Sequence, residues 1–113
     1  MKRLVVSGID CGSCEVADTW RSRRKGLLNR DGITGSMLLT PCKSVHTLGM
    51  RFDLDIAFLR GGGANGSFTV LRTYQRRRNR LGVTLLRASA VLEAESGSFA
   101  EWGLVPGAVV NIA

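Results

Sequence analysis

The residues best suited to chemistry lie in one segment of the chain, residues 41–59, with the sequence PCKSVHTLGMRFDLDIAFL. This segment contains the only histidine, His46, together with Cys42 and with Asp55, whose carboxylate interrupts an apolar run. Such a run is expected to be buried, and a buried carboxylate is costly unless it is paired or hydrogen-bonded. The segment therefore predicts a candidate site, although it does not specify a reaction.

A histidine oriented by a carboxylate can act as a general base. The catalytic hypothesis for this chain combines His46 with Asp55 and, from a later segment, with Glu93. Its nucleophile would be one of three residues close to the histidine in sequence: Cys42, Ser44 or Thr47. The recognised nucleophile signatures are absent. The alternative, which we favour, gives Asp55 and Glu93 a structural role, accepting hydrogen bonds from Arg24 or from backbone amides, because buried charges are paired far more often than they are catalytic.

The three cysteines and the histidine form a second candidate set, for a metal. Cys11 and Cys14 make a C-x-x-C motif, and Cys42 and His46 make C-x-x-x-H. Thiolates and a neutral imidazole suit tetrahedral zinc. The alternative is that Cys11 and Cys14 are turn residues and that Cys42 is a small buried apolar side chain. We favour it, and therefore expect no cofactor and no zinc. A redox role is less favoured still, because no βαβ pattern surrounds the C-x-x-C pair.

Basic residues form two groups along the chain. The first contains Arg21, Arg23, Arg24, Lys25 and Arg30, and the second contains Arg72, Arg76, Arg77, Arg78 and Arg80. If the groups met in space they would make a phosphate-binding face, and Trp20, Tyr74 and Phe68 would supply stacking. No nucleic-acid motif is visible, so the alternative is a solvated helix face and a charged loop.

A glycine-rich stretch, GGGANG at residues 61–66, is the last chemical candidate. It lacks the lysine and the following helix of a phosphate-binding loop. We predict a hairpin connection there.

Short apolar runs separated by turn residues must position all of these groups. Strands are predicted at residues 4–9, 37–39, 54–60, 67–74 and 108–112 and within 85–95, and a hairpin turn is predicted at residues 10–14. A short helix is predicted near residues 19–25, capped by Asp18 or Thr19 and stopped by Gly26, with a further helical turn near 98–102. The pattern favours a mainly β fold, a compact sandwich or a partly closed barrel.

Composition limits the class of protein further. The 113 residues, 44% of them hydrophobic, suit a single domain over 1–113 with a real core. An odd number of cysteines and the lack of a visible signal peptide predict a cytoplasmic location. No segment is apolar enough over sufficient length to predict a membrane span. The net charge of +7 favours a polyanionic partner, but net charge alone concerns solubility and non-specific binding.

Four segments, in order, resemble the domain of unknown function 192 family of small bacterial and archaeal proteins. They are ADTWRSRRKGLLNRDGI (17–33), VHTLGMRFDLDIAFL (45–59), AVLEAESG (90–97) and GLVPGAVV (103–110). The His-Thr-x-x-Met pattern that begins at His46 resembles an actinobacterial-type subgroup, whereas many other members carry a Trp-Met pair near this position. Asp53 stands where a proline is common. The resemblance implies a mainly β, jelly-roll-like fold without an established activity, and it does not cover Cys11 or Cys14.

The leading interpretation is a non-enzymatic binding or accessory module. A cleft would take a small-molecule or extended ligand, and its residues would be His46, Met50, Asp55, Glu93 and Arg24. The rival interpretation is a small hydrolase that uses His46 with Asp55. A third is a nucleic-acid or other polyanion binder that uses the arginine groups.

Overall fold

The computed structural model describes residues 2–62 and 66–113. The described chain is 46% strand and 10% helix, which confirms the predicted mainly β class. Its elements are, in order, β1 (Lys2–Val6), β2 (Ile9–Ala17), α1 (Trp20–Lys25), β3 (Ser36–Leu39), β4 (Ser44–Val45), β5 (Leu54–Gly61), β6 (Ser67–Arg76), β7 (Val83–Thr84), β8 (Ala90–Glu95), α2 (Ser98–Trp102) and β9 (Val109–Ile112). None of the helices in the described residues has the length and apolar character needed to cross a membrane.

Seven strands close a barrel in the order β1-β2-β3-β8-β5-β6-β9, and β9 pairs back onto β1. The neighbours are antiparallel except for β2 and β3, which are parallel. The short strands β4 and β7 form a separate pair. Of the two predicted architectures, the structure therefore has the barrel, and the barrel is closed rather than partly closed.

Both faces of the barrel wall are buried around β5. The inner core draws on all seven strands and includes Leu4, Leu38, Leu59, Leu92 and Val110. An outer core packs against the other face of the wall and includes Met37, Ile56, Phe58 and Val91, covered by Leu27, Val45 and Met50 from segments outside the barrel. Because β5 lies between the two cores, its first six residues are all buried. This explains the near-continuous apolar sequence at residues 54–59.

The hairpin predicted at the N-terminus exists, but its turn lies earlier than predicted. The turn is at Ser7 and Gly8, both with positive φ (50° and 83°), as two-residue hairpin turns of the primed types require. The segment predicted as a turn, residues 10–14, instead lies within β2. Its polar residues sit at the exposed start of that strand, so Cys11 and Cys14 do not form a metal-binding turn.

The two predicted helices are confirmed. The Thr19 hydroxyl accepts a hydrogen bond from the Ser22 amide at 3.0 Å, and the Ser22 hydroxyl accepts one from the Thr19 amide at 3.0 Å, a reciprocal cap at the start of α1. Gly26 ends that helix. The helical turn predicted at 98–102 is α2, which ends at Gly103 in the left-handed conformation. The tip of the predicted glycine hairpin, residues 63–65, lies outside the described residues.

Candidate functional site: the Glu93 pocket

The sequence predicted one cleft that contains both Asp55 and Glu93. The register in which β5 pairs with β8 separates these two carboxylates. Residues directly opposite each other in an antiparallel pair share a face of the sheet. Asp55 is opposite Ala94, which belongs to the inner core, whereas Glu93 is opposite Ile56, which belongs to the outer core. The two side chains therefore point to opposite sides of the barrel wall, and the predicted cleft does not contain both.

Asp55 holds α2 against the barrel. Its side chain is buried, and its Oδ2 accepts hydrogen bonds from the Gly97 amide at 3.0 Å and the Phe99 amide at 2.9 Å. Gly97 precedes α2 and has no side chain to cap it, so a residue from β5 supplies the acceptor. The prediction that Asp55 is buried and bonded to an arginine or to backbone amides is confirmed, and the donors are amides. Because those amides engage the carboxylate on the inner face, it is not placed to orient His46.

Glu93 is equally buried, but its carboxyl group has no hydrogen-bond partner among residues 2–62 and 66–113. Its residue is 4% exposed, and burial raises the pKa of its carboxyl to about 7. No fully enclosed side-chain oxygen or nitrogen in the described chain lacks a partner, so the unpaired Glu93 oxygens must reach an opening. Neither Arg24 nor a backbone amide of the described residues supplies the hydrogen bond that the sequence predicted for Glu93.

That opening is a pocket of about 80 Å³, here called the Glu93 pocket. Its apolar lining consists of Leu27, Leu28, Leu39, Val45 and Met50. Its basic lining consists of Arg23, Arg24, Lys25 and His46, and Gly26 and Glu93 complete it. The structure thus brings four of the five predicted ligand-binding residues, His46, Met50, Glu93 and Arg24, to one place and leaves Asp55 elsewhere.

The end of α1 covers the carboxyl group at close range. Gly26 has φ 47° and ψ −126°, and a Cβ at this position would lie 3.8 Å from Glu93 Oε1. The next residue, Leu27, is buried in the outer core and holds the chain in place where it passes over Glu93. The last turn of α1 carries Arg23, Arg24 and Lys25. This short helix therefore contributes three positive charges to the pocket lining, and its C-terminus lies next to the Glu93 carboxyl group.

Two basic side chains of α1, Arg23 and Arg24, have their own partners. The Arg24 guanidinium lies 5.2 Å from the centre of the Trp20 ring, and Arg23 Nη1 donates to the Asp18 carbonyl at 2.8 Å and to the Thr40 carbonyl at 3.4 Å. Neither contact neutralises Glu93. The pocket therefore combines an uncompensated buried acid with a positively charged lining.

The His46 loop, residues 46–50, contributes His46 and Met50 to the pocket lining. Buried Thr47 fastens it: its hydroxyl donates to the Arg77 carbonyl at 2.7 Å and accepts from the Arg80 amide at 2.8 Å. His46 itself is exposed, and its Nδ1 accepts a hydrogen bond from the Leu48 amide at 3.2 Å. The imidazole is thus oriented by its own loop, and the proposed His46–Asp55 pair is not formed.

The candidate nucleophiles are poorly suited to attack. The Thr47 hydroxyl serves the loop, and Ser44 Oγ accepts a hydrogen bond from Thr84 Oγ1 at 3.1 Å. Burial raises the pKa of the Cys42 thiol, whose Sγ donates to the Ser44 carbonyl at 3.1 Å. A protonated thiol is a weak nucleophile, so this neighbourhood does not contain an activated nucleophile of the predicted kind.

The cysteines and His46 do not converge in the described parts of the chain. Cys14 is buried in the inner core and Cys11 packs beside it, whereas Cys42 packs against the outer core. Across residues 2–62 and 66–113, no group of three or more His, Cys, Asp or Glu side chains is arranged to hold a metal ion. The Cys₃His hypothesis therefore has no geometric support, and the absence of zinc from the purified protein stays a prediction.

Both arginine groups have members next to the His46 loop. Arg23, Arg24 and Lys25 line the pocket with His46, and in the second group the backbone of Arg77 and Arg80 is hydrogen-bonded to the Thr47 hydroxyl. Arg30 is separate, because its guanidinium makes a two-bond ion pair with Glu15 at 2.6 and 3.0 Å.

The aromatic residues proposed for stacking differ in how far they are available. Phe68 is buried in the inner core and cannot stack on a base. Tyr74 packs edge-on against Phe58, with 5.9 Å between ring centres. Trp20 is exposed but lies under Arg24. Stacking by this trio is therefore not a feature of the site.

Sequence reasoning missed two contributions to this pocket. The first is Gly26, which was predicted only as a helix stop and also lies over Glu93. The second is the apolar wall from Leu27, Leu28 and Leu39. The run Gly-Leu-Leu after a basic helix is a local signal for a buried anchor, but nothing local indicates which strand it will cover.

Two crystal structures share the fold. A protein of unknown function from Novosphingobium aromaticivorans DSM 12444 is 23% identical, with a TM-score of 0.75 over 96% of this chain and 83% of that one. A Sinorhizobium meliloti 1021 protein, described as a "putative transcription regulator", is 18% identical, with a TM-score of 0.76 over 98% of this chain and 91% of that one. These likenesses establish the fold alone.

Sequence comparison gives a family but no characterised relative. The family model DUF192, described as "Uncharacterized ACR", matches residues 5–112. No curated protein matches the chain significantly in sequence.

Proposed function

This chain belongs to the DUF192 family, and we propose that it is a non-enzymatic binding module whose Glu93 pocket receives one end of a small ligand. The observation that carries the proposal is the buried, unpaired carboxyl group of Glu93. Leaving such a group without a partner costs on the order of 1–3 kcal/mol. A ligand that donates a hydrogen bond to it removes that cost.

The lining of the pocket suggests the chemistry of its ligand. The innermost ligand group would be a hydrogen-bond donor, such as an amine, amide or hydroxyl, that pairs with Glu93. A short apolar stretch would follow along Leu27, Leu39 and Met50, and an anionic or polar group would remain at Arg24 and Lys25. A pocket of about 80 Å³ accepts only the tip of such a molecule.

Binding is better supported than catalysis. Catalysis would need a nucleophile or a second acid–base group within hydrogen-bond reach of the reacting atoms. The hydroxyl of Thr47 and the thiol of Cys42 are both engaged with carbonyl oxygens. His46 shares the pocket lining with Glu93 without a hydrogen bond between them, so the two groups are suited to contact a ligand from two sides.

A thermal-shift screen tests the proposal, because a ligand that binds the native state raises Tm by mass action. The library would contain small amines, amides, alcohols and carboxylates, tested on the wild-type protein, on Glu93→Gln and on Glu101→Gln. Glu101 is exposed on α2 and provides the matched control. We expect hits that stabilise the wild type and Glu101→Gln but not Glu93→Gln. Hits that stabilise all three proteins equally would contradict the proposal.

A further inference from the structure

Most of the second arginine group, Arg76, Arg77, Arg78 and Arg80, lies in a loop that is held in place by hydrogen bonds. The arginine loop, residues 76–80, begins at the last residue of β6 and is held at several points. The Asn79 amide donates to the Thr47 carbonyl at 2.7 Å, the Arg78 amide donates to Asp53 Oδ1 at 2.9 Å, and the Asn79 side chain accepts from the Gly49 amide at 3.0 Å. A loop held by its backbone leaves its side chains free to project outward.

The arginines of this loop form no ion pair within the described chain. The ion pairs found among residues 2–62 and 66–113 are Arg3–Asp10, Arg30–Glu15 and Arg51–Asp31. None involves the arginine loop. Arg77, Arg78 and Arg80 are exposed and Arg76 is half-buried. The Arg78 guanidinium makes one hydrogen bond, to the Arg51 carbonyl at 3.2 Å, which brings Arg51 to the same surface.

A polar groove of about 230 Å³ adjoins the loop. It is lined by Asp53, Gln75, Arg76, Arg77 and Ser96, and it shares no lining residue with the Glu93 pocket. Within it, Gln75 Nε2 donates to Ser96 Oγ at 2.7 Å, and one carboxylate oxygen of Asp53 is occupied by the Arg78 amide. Arginine, amide and hydroxyl side chains, the kinds that line this groove beside the Asp53 carboxylate, are donors that bind phosphate oxygens.

We propose that the arginine loop and this groove bind the phosphodiester backbone of nucleic acid without sequence preference. Three features favour this partner. Arginine forks fit phosphate in a bidentate manner. Arg77, Arg78 and Arg80 are all exposed on this loop, so several positive charges are available to successive phosphates of a repeating polyanion. The net charge of +7 favours association with such a partner.

The test measures binding of a labelled oligonucleotide of mixed sequence, as a single strand and as a duplex, by fluorescence anisotropy over a range of salt concentrations. The proteins are the wild type, the double variant Arg76→Gln with Arg77→Gln, and the control double variant Arg60→Gln with Arg87→Gln. Both pairs remove two charges, but Arg60 lies at the far end of β5 and donates to the Arg87 carbonyl. We expect the loop variant to lose roughly tenfold in affinity and to lower the salt slope by about one to two, and the control to stay close to the wild type.

Three results would overturn the proposal: no binding by the wild type, no loss in the loop variant, or equal losses in both double variants, since the last would mean that net charge alone matters. Vesicles containing phosphatidylglycerol provide the alternative partner, and binding of vesicles without binding of the oligonucleotide would also overturn it. Glu93→Gln should bind the oligonucleotide as the wild type does, so failure here and failure of the small-ligand proposal are distinguishable.

Discussion

Asp55 and Glu93 are both 4% exposed, yet the surroundings of their carboxyl groups differ in a way that assigns them different roles. Asp55 receives two amide hydrogen bonds and stabilises α2. Glu93 receives none from the described residues, and burial raises the pKa of its carboxyl to about 7. A satisfied buried acid is typical of structure, whereas an unsatisfied acid that reaches a pocket is typical of a ligand site.

Removing the Asp55 carboxylate should destabilise the protein. Asp55→Ala leaves the Gly97 and Phe99 amides without their acceptor, and we expect the free energy of unfolding to fall by about 2–4 kcal/mol. Asp55→Asn keeps one acceptor oxygen and should lose less. Chemical denaturation of the three proteins measures this. A loss below about 0.5 kcal/mol for Asp55→Ala would show that these hydrogen bonds contribute little.

Glu93 should make stability fall as pH rises. Its pKa is raised from 4.5 to about 7, so between these values the native state holds a proton that the unfolded state has released. The contribution of Glu93 to stability is therefore greatest below about pH 4 and is lost progressively up to about pH 8, a change of about 3 kcal/mol. Glu93→Gln lacks this dependence. The difference in unfolding free energy between wild type and variant, measured from pH 5 to pH 8, should change by a large part of that amount; a constant difference would be the contrary result.

The sequence was sufficient to predict that Asp55 is buried and bonded to an arginine or to backbone amides, because a carboxylate buried within LDIAFL needs a partner. It was not sufficient to separate Asp55 from Glu93. That separation depends on the register in which Ile56 faces Glu93, and these residues are distant in sequence. A shift of the pairing by one residue would exchange the faces, so no local pattern fixes which carboxylate enters the pocket.

Among the elements, α1 has the most direct effect on the site, because its C-terminus covers Glu93. Both of its ends were predictable from local signals, Thr19 at the start and Gly26 at the stop. The predicted position of the first hairpin turn was wrong. The polar residues 10–14 favoured a turn there, but the Ser7-Gly8 pair is itself a turn signal. This error affected the metal hypothesis, because the C-x-x-C pair was predicted in a turn but lies in a strand.

Replacing Gly26 with alanine should destabilise the protein more than the same replacement at Gly103. Gly26→Ala forces a side chain into φ 47° and ψ −126°, a combination that L residues rarely adopt, and we expect a loss of about 1–3 kcal/mol. Gly103→Ala at the end of α2 is the control, because φ 65° and ψ 29° lie in the left-handed region, where alanine costs about 1 kcal/mol. Thermal denaturation compares the two. Equal losses would mean that the Gly26 conformation is not specially demanding.

For the molecule as a whole, the closure of the barrel could not be predicted from the sequence pattern. It requires β9 to pair with both β1 and β6, and β2 to run parallel to β3. These pairings join segments that are far apart in the chain and leave no local signature. His46 lines the Glu93 pocket, and its neighbour Thr47 is hydrogen-bonded to the arginine loop, so the His46 loop contacts both candidate binding surfaces.

Chemical-shift mapping with a library of small hydrogen-bond donors tests the central claim, that Glu93 and its pocket form the ligand site, most directly. We predict that reproducible hits perturb the backbone resonances of Gly26, Val45, Met50 and Glu93, and that Glu93→Gln abolishes these perturbations while Glu101→Gln preserves them. Hits that cluster on residues 72–80 and leave Gly26, Met50 and Glu93 unchanged would contradict the claim.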